Sequence, residues 1–175
     1  FAKGVNSGYI PLGGVVISQK IADTFRDRVF PGGLTYSGHP LACAAAVASI
    51  NIFKEEKIVE HARMLGKDVI GPALEKMKAK HPSVGDVRGL GVFWAIELVK
   101  NRETREPYVP FNASGPDAKP MMDLIVACKE RNLWPFTHFN RIHVVPPCNT
   151  PVEDVKTGLA IIDEVLDIAD KHCKN

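Results

Sequence analysis

The sequence has few cysteines, and those it has lie far apart. The 175 residues contain four, at positions 43, 128, 148 and 173. Because no two of them form a Cys-x-x-Cys pair, neither a zinc site nor a thioredoxin-like motif is expected, and we predict no metal site. Cys43 and Cys128 lie in apolar helical patterns and are predicted to be small core residues. Isolated thiols fit a reducing compartment, so we predict a cytoplasmic protein.

The sequence also lacks long apolar runs and a large excess of charge of either sign. No run approaches the ~20 apolar residues that a membrane-spanning helix needs, and no signal-peptide pattern is visible. The formal net charge is only +2 and the basic residues are scattered, so neither nucleic acid nor an anionic membrane surface is an expected partner. With 45% hydrophobic and 24% charged residues, the chain has the composition of a folded protein.

Two glycine-rich segments near the start of the chain carry candidate catalytic or binding side chains. The first surrounds Lys3, which stands between Ala2 and Gly4 and is followed by the apolar run 15–17. A lysine in this setting is a candidate buried or partly buried amine, and a neutral amine can form a Schiff base with an aldehyde. The second segment, residues 32–42, reads GGLTYSGHPLA and contains Thr35.

These two segments closely resemble the lysine segment and the phosphate-contact segment of class III (ω-type) aminotransferases, which are pyridoxal-phosphate enzymes. The resemblance continues through residues 87–98 (VRGLGVFWAIEL), 131–134 (RNLW) and 144–147 (VVPP), so it covers nearly the whole chain. It implies an α/β fold: residues 1–54 would be the tail of the cofactor-binding large domain of a fold type I transferase. Residues 55–175 would be a connecting helix and the C-terminal α+β small domain.

The resemblance also implies roles for particular residues. Lys3 would be the catalytic lysine that forms the Schiff base with pyridoxal phosphate. Thr35 would contact the phosphate of the cofactor in the neighbouring subunit, which implies a homodimer with shared sites. The helix that opens at His39-Pro40 would add a positive dipole end nearby. Tyr36 and Ser37 have no assigned role, and His39 is expected to cap or line the loop.

One position departs from the family pattern. Many class III aminotransferases carry an arginine about ten residues before the Pro-Pro pair, where it binds the substrate's α-carboxylate. Counting back from Pro146 leads to Phe136. The sequence leaves two alternatives: the pocket accepts a less charged amine, or another group binds the carboxylate. Phe136 and Trp134 are equally well explained as core residues.

Four charged residues of the same half of the chain have weaker assignments. Arg88 precedes Gly89-Leu90-Gly91 and is a candidate for the entrance of the active site. Glu97 is expected to lie at a sheet edge or in an ion pair. Arg131 is expected to end a helix, and Arg141, which lies nearer the strand, has no assigned role.

We therefore predict part of an aminotransferase that moves an amino group from an amine or ω-amino acid to an α-keto acid such as pyruvate. A pyridoxal-phosphate-dependent aminomutase or decarboxylase of the same family is the first alternative, and a non-catalytic structural fragment is the second. The chain opens on the lysine motif without an initiator Met, and family members are more than twice as long. We expect residues 1–175 to be a piece of a longer enzyme that alone binds no cofactor and is inactive.

Local patterns predict the order of the elements. The predictions are a strand over 9–18, a short helix capped by Ser18, an Ala-rich helix from His39-Pro40 to Phe53, and a long helix over 56–80 interrupted near Gly71-Pro72. Period-two patterns predict strands over 84–91 and 92–99 and a short strand over 142–145. Helices are predicted over 117–131, ending before a left-handed Asn132, and from Thr150-Pro151 to about His172.

Overall fold

The structure is a computed structural model that describes residues 1–173. The contacts divide the chain into two compact units, Phe1–Ile58 and Val59–Asn175. This division falls four residues after the domain boundary predicted from the sequence. The assignment of the two parts to a large and a small domain stays a prediction.

The first unit contains two helices, α1 (Gln19–Thr24) and α2 (Pro40–Glu55). The Oγ of Ser18 accepts a hydrogen bond from the backbone N–H of Ile21 at 3.4 Å, so the predicted N-cap of α1 is confirmed. Helix α2 begins at Pro40, as predicted, because the first position of a helix does not need the N–H that proline lacks.

The strand predicted over 9–18 does not form. The segment makes only one isolated antiparallel bridge, between Ala2 and Gly13. Val15 and Val16 are more than four-fifths exposed, at 84% and 85%. A strand needs a neighbouring strand to satisfy its backbone, and no other segment of residues 1–173 pairs with this one. Cys43 on α2 is likewise exposed, so its prediction as a core residue is wrong.

The second unit begins with a helical stretch of three parts. Helix α3 (Ile58–Met64) passes into a π-helical segment (Leu65–Ile70) and then into α4 (Gly71–Lys80). The sequence predicted an interruption at Gly71-Pro72. The irregularity instead lies in the π-helical turn before Gly71, and Pro72 occupies the first turn of α4, where proline is tolerated.

Five strands form an antiparallel sheet: β1 (Val84–Leu90), β2 (Phe93–Asn101), β3 (Glu106–Pro107), β4 (Phe136–His138) and β5 (Arg141–Val144). The order is β1-β2-β5-β4, and β3 pairs with the end of β2. The sequence predicted β1, β2 and β5 and missed the two short strands, β3 and β4.

Two further helices follow the sheet in the chain, α5 (Lys119–Glu130) and α6 (Val152–Asp170). Asn132 has a φ of 61°, so the predicted left-handed residue after α5 is confirmed. Thr150 does not cap α6. Its hydroxyl instead donates to the Pro147 carbonyl oxygen at 2.8 Å, and the helix starts after Pro151.

The core of this unit lies between one face of the sheet and the helices. Its largest fully buried aliphatic side chains come from the helices and from β2 and β5, and they include Leu65, Ile70, Leu74, Ile96, Leu98, Leu124, Ile142 and Leu166. Cys128 on α5 is buried among them, so that prediction is confirmed. Within the part of the chain that the structure describes, no helix is long and apolar enough to cross a membrane.

Candidate active site

Lys3 lies at the start of a small closed loop. It begins a 3₁₀ turn (Lys3–Asn6) and has a φ of 52°, a left-handed conformation that is unusual for lysine. The bridge between Ala2 and Gly13 closes the loop behind it. A residue in this conformation is maintained only when its surroundings fix it, at a cost of roughly 1–3 kcal/mol. The loop therefore sets the direction of the backbone at Lys3.

Asn6, which was not among the residues predicted from the sequence, fixes the rest of this loop. Its side chain is only 1% exposed. Its Nδ2 donates to the carbonyl oxygen of Ile10 at 2.6 Å, and its Oδ1 accepts from the N–H of Gly8 at 3.2 Å. The Asn-Ser-Gly sequence is a turn signal that indicates such a role, because an asparagine side chain bonds to the backbone two residues ahead.

The side chain of Lys3 is exposed, so the expectation that it is buried or partly buried is not met within this chain. Its Nζ has no hydrogen-bond or ion-pair partner among residues 1–173. The Nζ of Lys3 is therefore accessible to a ligand.

Thr35 lies in a tight turn before α2. The N–H of Ser37 donates to the Leu34 carbonyl at 2.9 Å, and the N–H of His39 donates to the Tyr36 carbonyl at 3.2 Å. Gly38 has a φ of 69°, which explains why glycine occupies this place. The Thr35 hydroxyl is exposed and has no partner in the described chain, so it can donate to a ligand.

A groove of about 750 Å³ lies beside this turn in the first unit. Its walls are residues 10–13 on one side and Leu34, Tyr36 and the start of α2 on the other. His39 lines the groove but makes no capping bond, so only one part of its expected role is met. The first N–H groups of α2 have no side-chain cap, which suits an anion. Neither Lys3 nor Thr35 lines this groove, so it does not join the two predicted site residues.

In the second unit, Arg88 and Glu97 are paired with each other. Arg88 donates to Glu97 Oε2 at 2.7 Å and to Asp86 Oδ2 at 2.9 Å. The hydrogen bond from Lys78 lowers the pKa of the Asp86 carboxyl, and Arg88 contributes to the same shift although burial opposes it. Glu97 is therefore ion-paired, and it is not at an edge because β2 lies between β1 and β5. Because Asp86 and Glu97 neutralise the charge of Arg88, the structure does not favour a role for Arg88 in substrate binding.

Phe136 and Trp134 are not core residues of their unit. Phe136 is 55% exposed on β4, and Trp134 is 81% exposed. The Nζ of Lys129 lies 3.8 Å from the centre of a Trp134 ring, a cation–π contact. Arg131 ends α5 as expected, and its Nη1 donates to the Ala127 carbonyl at 2.9 Å.

The comparisons with known proteins agree with the family and the fold class that the sequence indicates. The family model Aminotransferase class-III matches residues 1–166, so the chain belongs to the class III aminotransferases. The 5-aminovalerate aminotransferase DavT of Pseudomonas aeruginosa is 36% identical over 172 residues, which are 95% of this chain and 37% of that protein. The putrescine–pyruvate aminotransferase of the same species is 47% identical over 111 residues, 61% of this chain and 24% of that protein.

Solved structures give the same class. The taurine:2-oxoglutarate aminotransferase from Bifidobacterium kashiwanohense, in complex with pyridoxal phosphate and glutamate, matches with a TM-score of 0.88 and 39% identity. The match covers 98% of this chain and 37% of that one. The predicted α/β, fold type I class is thereby confirmed. The chain spans little more than a third of the length of DavT and of the taurine enzyme.

Proposed function

We propose that this chain is part of a pyridoxal-phosphate-dependent enzyme that moves an amino group from an amine or ω-amino acid to an α-keto acid such as pyruvate. The observation that carries the proposal is the free amine of Lys3, held at the start of a loop that Asn6 fixes. The relatives support the substrate class, since the names of two include 5-aminovalerate, and putrescine with pyruvate.

The residues present fit the cofactor. Pyridoxal phosphate, when bound, supplies an aldehyde for amines and withdraws electrons from the substrate carbon. Lys3 has the unobstructed amine that covalent attachment needs. The same Nζ is suited to take a proton from the carbon that carries the amino group and to return it later. The free hydroxyl of Thr35 suits a phosphate oxygen, and we assign it to the cofactor of the neighbouring subunit of a homodimer.

Two further parts of the proposal concern the location of the protein and the behaviour of residues 1–175 alone. The four cysteines form no disulfide among the described residues, which supports a cytoplasmic location. We propose that residues 1–175 alone bind no cofactor tightly, since they span only part of the length of their relatives. Cofactor titration of the isolated chain, followed by absorbance, tests this: stoichiometric binding would contradict it.

Replacement of Lys3 in the complete enzyme tests the main proposal. Lys3→Ala should abolish amino transfer and also the covalent attachment of the cofactor, measured by mass spectrometry after borohydride reduction. Lys20→Ala, at an exposed lysine of α1, is the matched control and should change neither. If Lys3→Ala keeps both properties, the assignment is wrong. Consumption of the keto acid with formation of an equal amount of the corresponding amino acid distinguishes amino transfer from aminomutase or decarboxylase chemistry.

A further inference from the structure

Three side chains that can bind a metal ion meet in the second unit. One nitrogen of His81, which directly follows α4, and one oxygen each of Asp167 and Asp170, in the last turn of α6, all lie within 4.8 Å of one another. The cysteines, whose spacing argued against a metal site, take no part in this cluster. Because His81 and Asp170 are 89 positions apart, only the fold brings these ligands together.

The distances in the cluster suit one small divalent ion. Nδ1 of His81 is 2.7 Å from Asp170 Oδ2 and 3.8 Å from Asp167 Oδ1. Around a tetrahedral Zn²⁺ with bonds of ~2.0–2.2 Å, neighbouring ligand atoms are roughly 3.4 Å apart. Side-chain shifts of less than about 1 Å would therefore let the three atoms bind the same ion, and water would complete its coordination. The ion would replace the hydrogen in the contact between Nδ1 and Asp170 Oδ2.

Groups behind the cluster hold two of the three ligands in place. Nε2 of His81 is 3.0 Å from Asp163 Oδ1, so the ring is fixed with Nδ1 towards the other two aspartates. The second oxygen of Asp170, Oδ1, accepts from the backbone N–H and the hydroxyl of Ser83 at 3.1 and 2.6 Å. In metal sites a histidine ligand almost always donates its other N–H to a carboxylate, a carbonyl or water, and ligating carboxylates are hydrogen-bonded in turn. These contacts would remain when a metal binds, because they use atoms that do not touch it.

The carboxylates of the cluster lack cationic partners. Asp163 is paired with Lys80, whose Nζ is 2.6 Å from Asp163 Oδ2. Asp167 and Asp170 each lie near His81 but form no ion pair with a lysine or arginine of residues 1–173. The last turn of α6 contains no basic residue, and carboxylates there lie at the negative end of the helix dipole. A cation bound between them would offset both unfavourable interactions.

Solvent reaches the cluster from the side of Asp167. The side chain of Asp167 is 68% exposed and that of Asp170 is 23% exposed, whereas that of His81 is buried. His81 would therefore be the fixed inner ligand, and Asp167 would be the outer one. One imidazole nitrogen with two carboxylate oxygens is a ligand set that Zn²⁺ accepts, while Mg²⁺ prefers oxygen ligands and keeps several waters.

We propose that His81, Asp167 and Asp170 form a binding site for a divalent transition-metal ion, and that Zn²⁺ is the ion that matches it best. The bound ion would join the segment before β1 to the last turn of α6 and would stabilise the folded protein. The site uses only residues of the second unit and does not depend on the proposed amino transfer.

Calorimetric titration of the chelator-treated complete enzyme with Zn²⁺ tests the site. Asp167→Asn keeps the size of the outer ligand and removes its charge. It should weaken the Kd for Zn²⁺ by about tenfold or more, since even groups that only orient a metal ligand contribute ~10–100-fold to metal affinity. Glu164→Gln is the matched control, because Glu164 is also an exposed acid of α6 but lies 3.4 Å from Arg131 instead of His81. This control should bind Zn²⁺ like the wild type.

Thermal unfolding shows whether a loss of Zn²⁺ binding has a structural cause. Without metal, Asp167→Asn and the wild type should have nearly equal Tm values, because Asp167 is exposed and makes no short contact. Added Zn²⁺ should raise the Tm of the wild type and of Glu164→Gln, since an ion that binds only the folded state stabilises it. The Tm of Asp167→Asn should rise much less, and Mg²⁺ at the same concentration should have little effect on any of the three.

Anomalous diffraction at the zinc edge, from crystals of the wild-type enzyme grown with Zn²⁺, locates the ion. A peak bounded by His81, Asp167 and Asp170 is expected. Absence of Zn²⁺ binding, equal Kd values for the wild type and Asp167→Asn, or zinc peaks only elsewhere in the enzyme would overturn the proposal. His81 would then be held by hydrogen bonds alone.

Discussion

Gly66 and Gly91 pack backbone against backbone, and the contact leaves no room for a side chain. A Cβ built on Gly66 would overlap the carbonyl oxygen of Gly91. Gly66 is buried in the π-helical segment, and Gly91 has a φ of 56° in the turn between β1 and β2. The Nε1 of Trp94 donates to the same Gly91 carbonyl at 2.8 Å, so the oxygen cannot easily move. This contact seats the helix on the β1–β2 hairpin.

Gly66→Ala should therefore destabilise the protein by about 1–3 kcal/mol, the scale for overpacking a close contact. Gly158→Ala is the matched control, since Gly158 is also helical and its Cβ would meet only Leu133, at an ordinary 3.6 Å. The control should be neutral or stabilising, because alanine favours a helix over glycine. Urea unfolding of both variants measures the difference, and equal stabilities would show that the helix can shift away from Gly91.

A buried histidine joins the end of α4 to α6. His81 is fully buried, with Nδ1 2.7 Å from Asp170 Oδ2 and Nε2 3.0 Å from Asp163 Oδ1. Asp170 also accepts hydrogen bonds from the backbone N–H and the hydroxyl of Ser83, at 3.1 and 2.6 Å. Both ring nitrogens are thus satisfied, and one carboxylate serves three donors.

Asp170→Asn should destabilise the protein by about 1.5–3 kcal/mol, because the amide loses the charge that strengthens these hydrogen bonds. Asp167→Asn, one turn earlier on α6, is the control. Its side chain is 68% exposed and 3.8 Å from His81, so its loss should change stability by less than about 0.5 kcal/mol. Chemical denaturation at pH 7 compares the two, and a larger effect at Asp167 would contradict this account of the cluster.

Features set by neighbouring residues could be predicted from the sequence, and features set by distant contacts could not. The Ser18 cap, Pro40 at the start of α2 and the left-handed Asn132 depend on local chemistry, and all three are confirmed. The strand over 9–18 was wrong because a strand depends on a partner elsewhere in the chain. The π-helical turn was missed because it accompanies the distant contact between Gly66 and Gly91.

The residues of the candidate site also differ in how far the sequence alone could predict them. Lys3 and Thr35 were indicated by the resemblance to a family and remain predictions. Asn6 was missed although its Asn-Ser-Gly sequence signals a turn. The ion pairs of Glu97 with Arg88 and Arg105 could not be predicted, because they depend on how the sheet brings these residues together.

Tyr108 carries a buried hydroxyl that has no partner among the described residues. Tyr108→Phe should therefore leave stability at pH 7 unchanged or raise it by up to about 1 kcal/mol, since it removes an unsatisfied polar group. Unfolding in urea measures this. A loss above about 1 kcal/mol would mean that the hydroxyl is satisfied in solution.

The pKa of Tyr108 predicts that the stabilities of wild type and of Tyr108→Phe depend differently on pH in alkaline solution. Burial raises the pKa of Tyr108 to about 12, and the Asp123 carboxylate adds to the shift. The unfolded chain loses this proton near pH 10. Because the folded protein binds one more proton between these values, wild-type stability should fall as the pH rises from about 10 through about 12. Tyr108→Phe should show a shallower fall, and identical slopes would contradict the shift.

Thr35 gives a prediction about cofactor affinity in the complete enzyme. Thr35→Val keeps the shape and removes the hydroxyl, so pyridoxal phosphate should bind about tenfold to hundredfold more weakly, as expected for losing a hydrogen bond to a charged group. Thr35→Ser keeps the hydroxyl and should bind within a few-fold of wild type. Titration of the apoenzyme measures both. Wild-type affinity in Thr35→Val would remove Thr35 from the site.

Mixed dimers test which subunit's cofactor Thr35 serves. A homodimer of Lys3→Ala subunits has no site with Lys3, and a homodimer of Thr35→Val subunits has no site with Thr35. If Thr35 reaches the neighbour's cofactor, a mixed dimer contains one intact site, with Lys3 from the Thr35→Val subunit and Thr35 from the Lys3→Ala subunit. It should then bind one cofactor per dimer with wild-type affinity and recover about half of the wild-type activity, as one of the two sites of a symmetric dimer. If Thr35 serves its own subunit, no intact site exists in the mixture and the affinity stays weak.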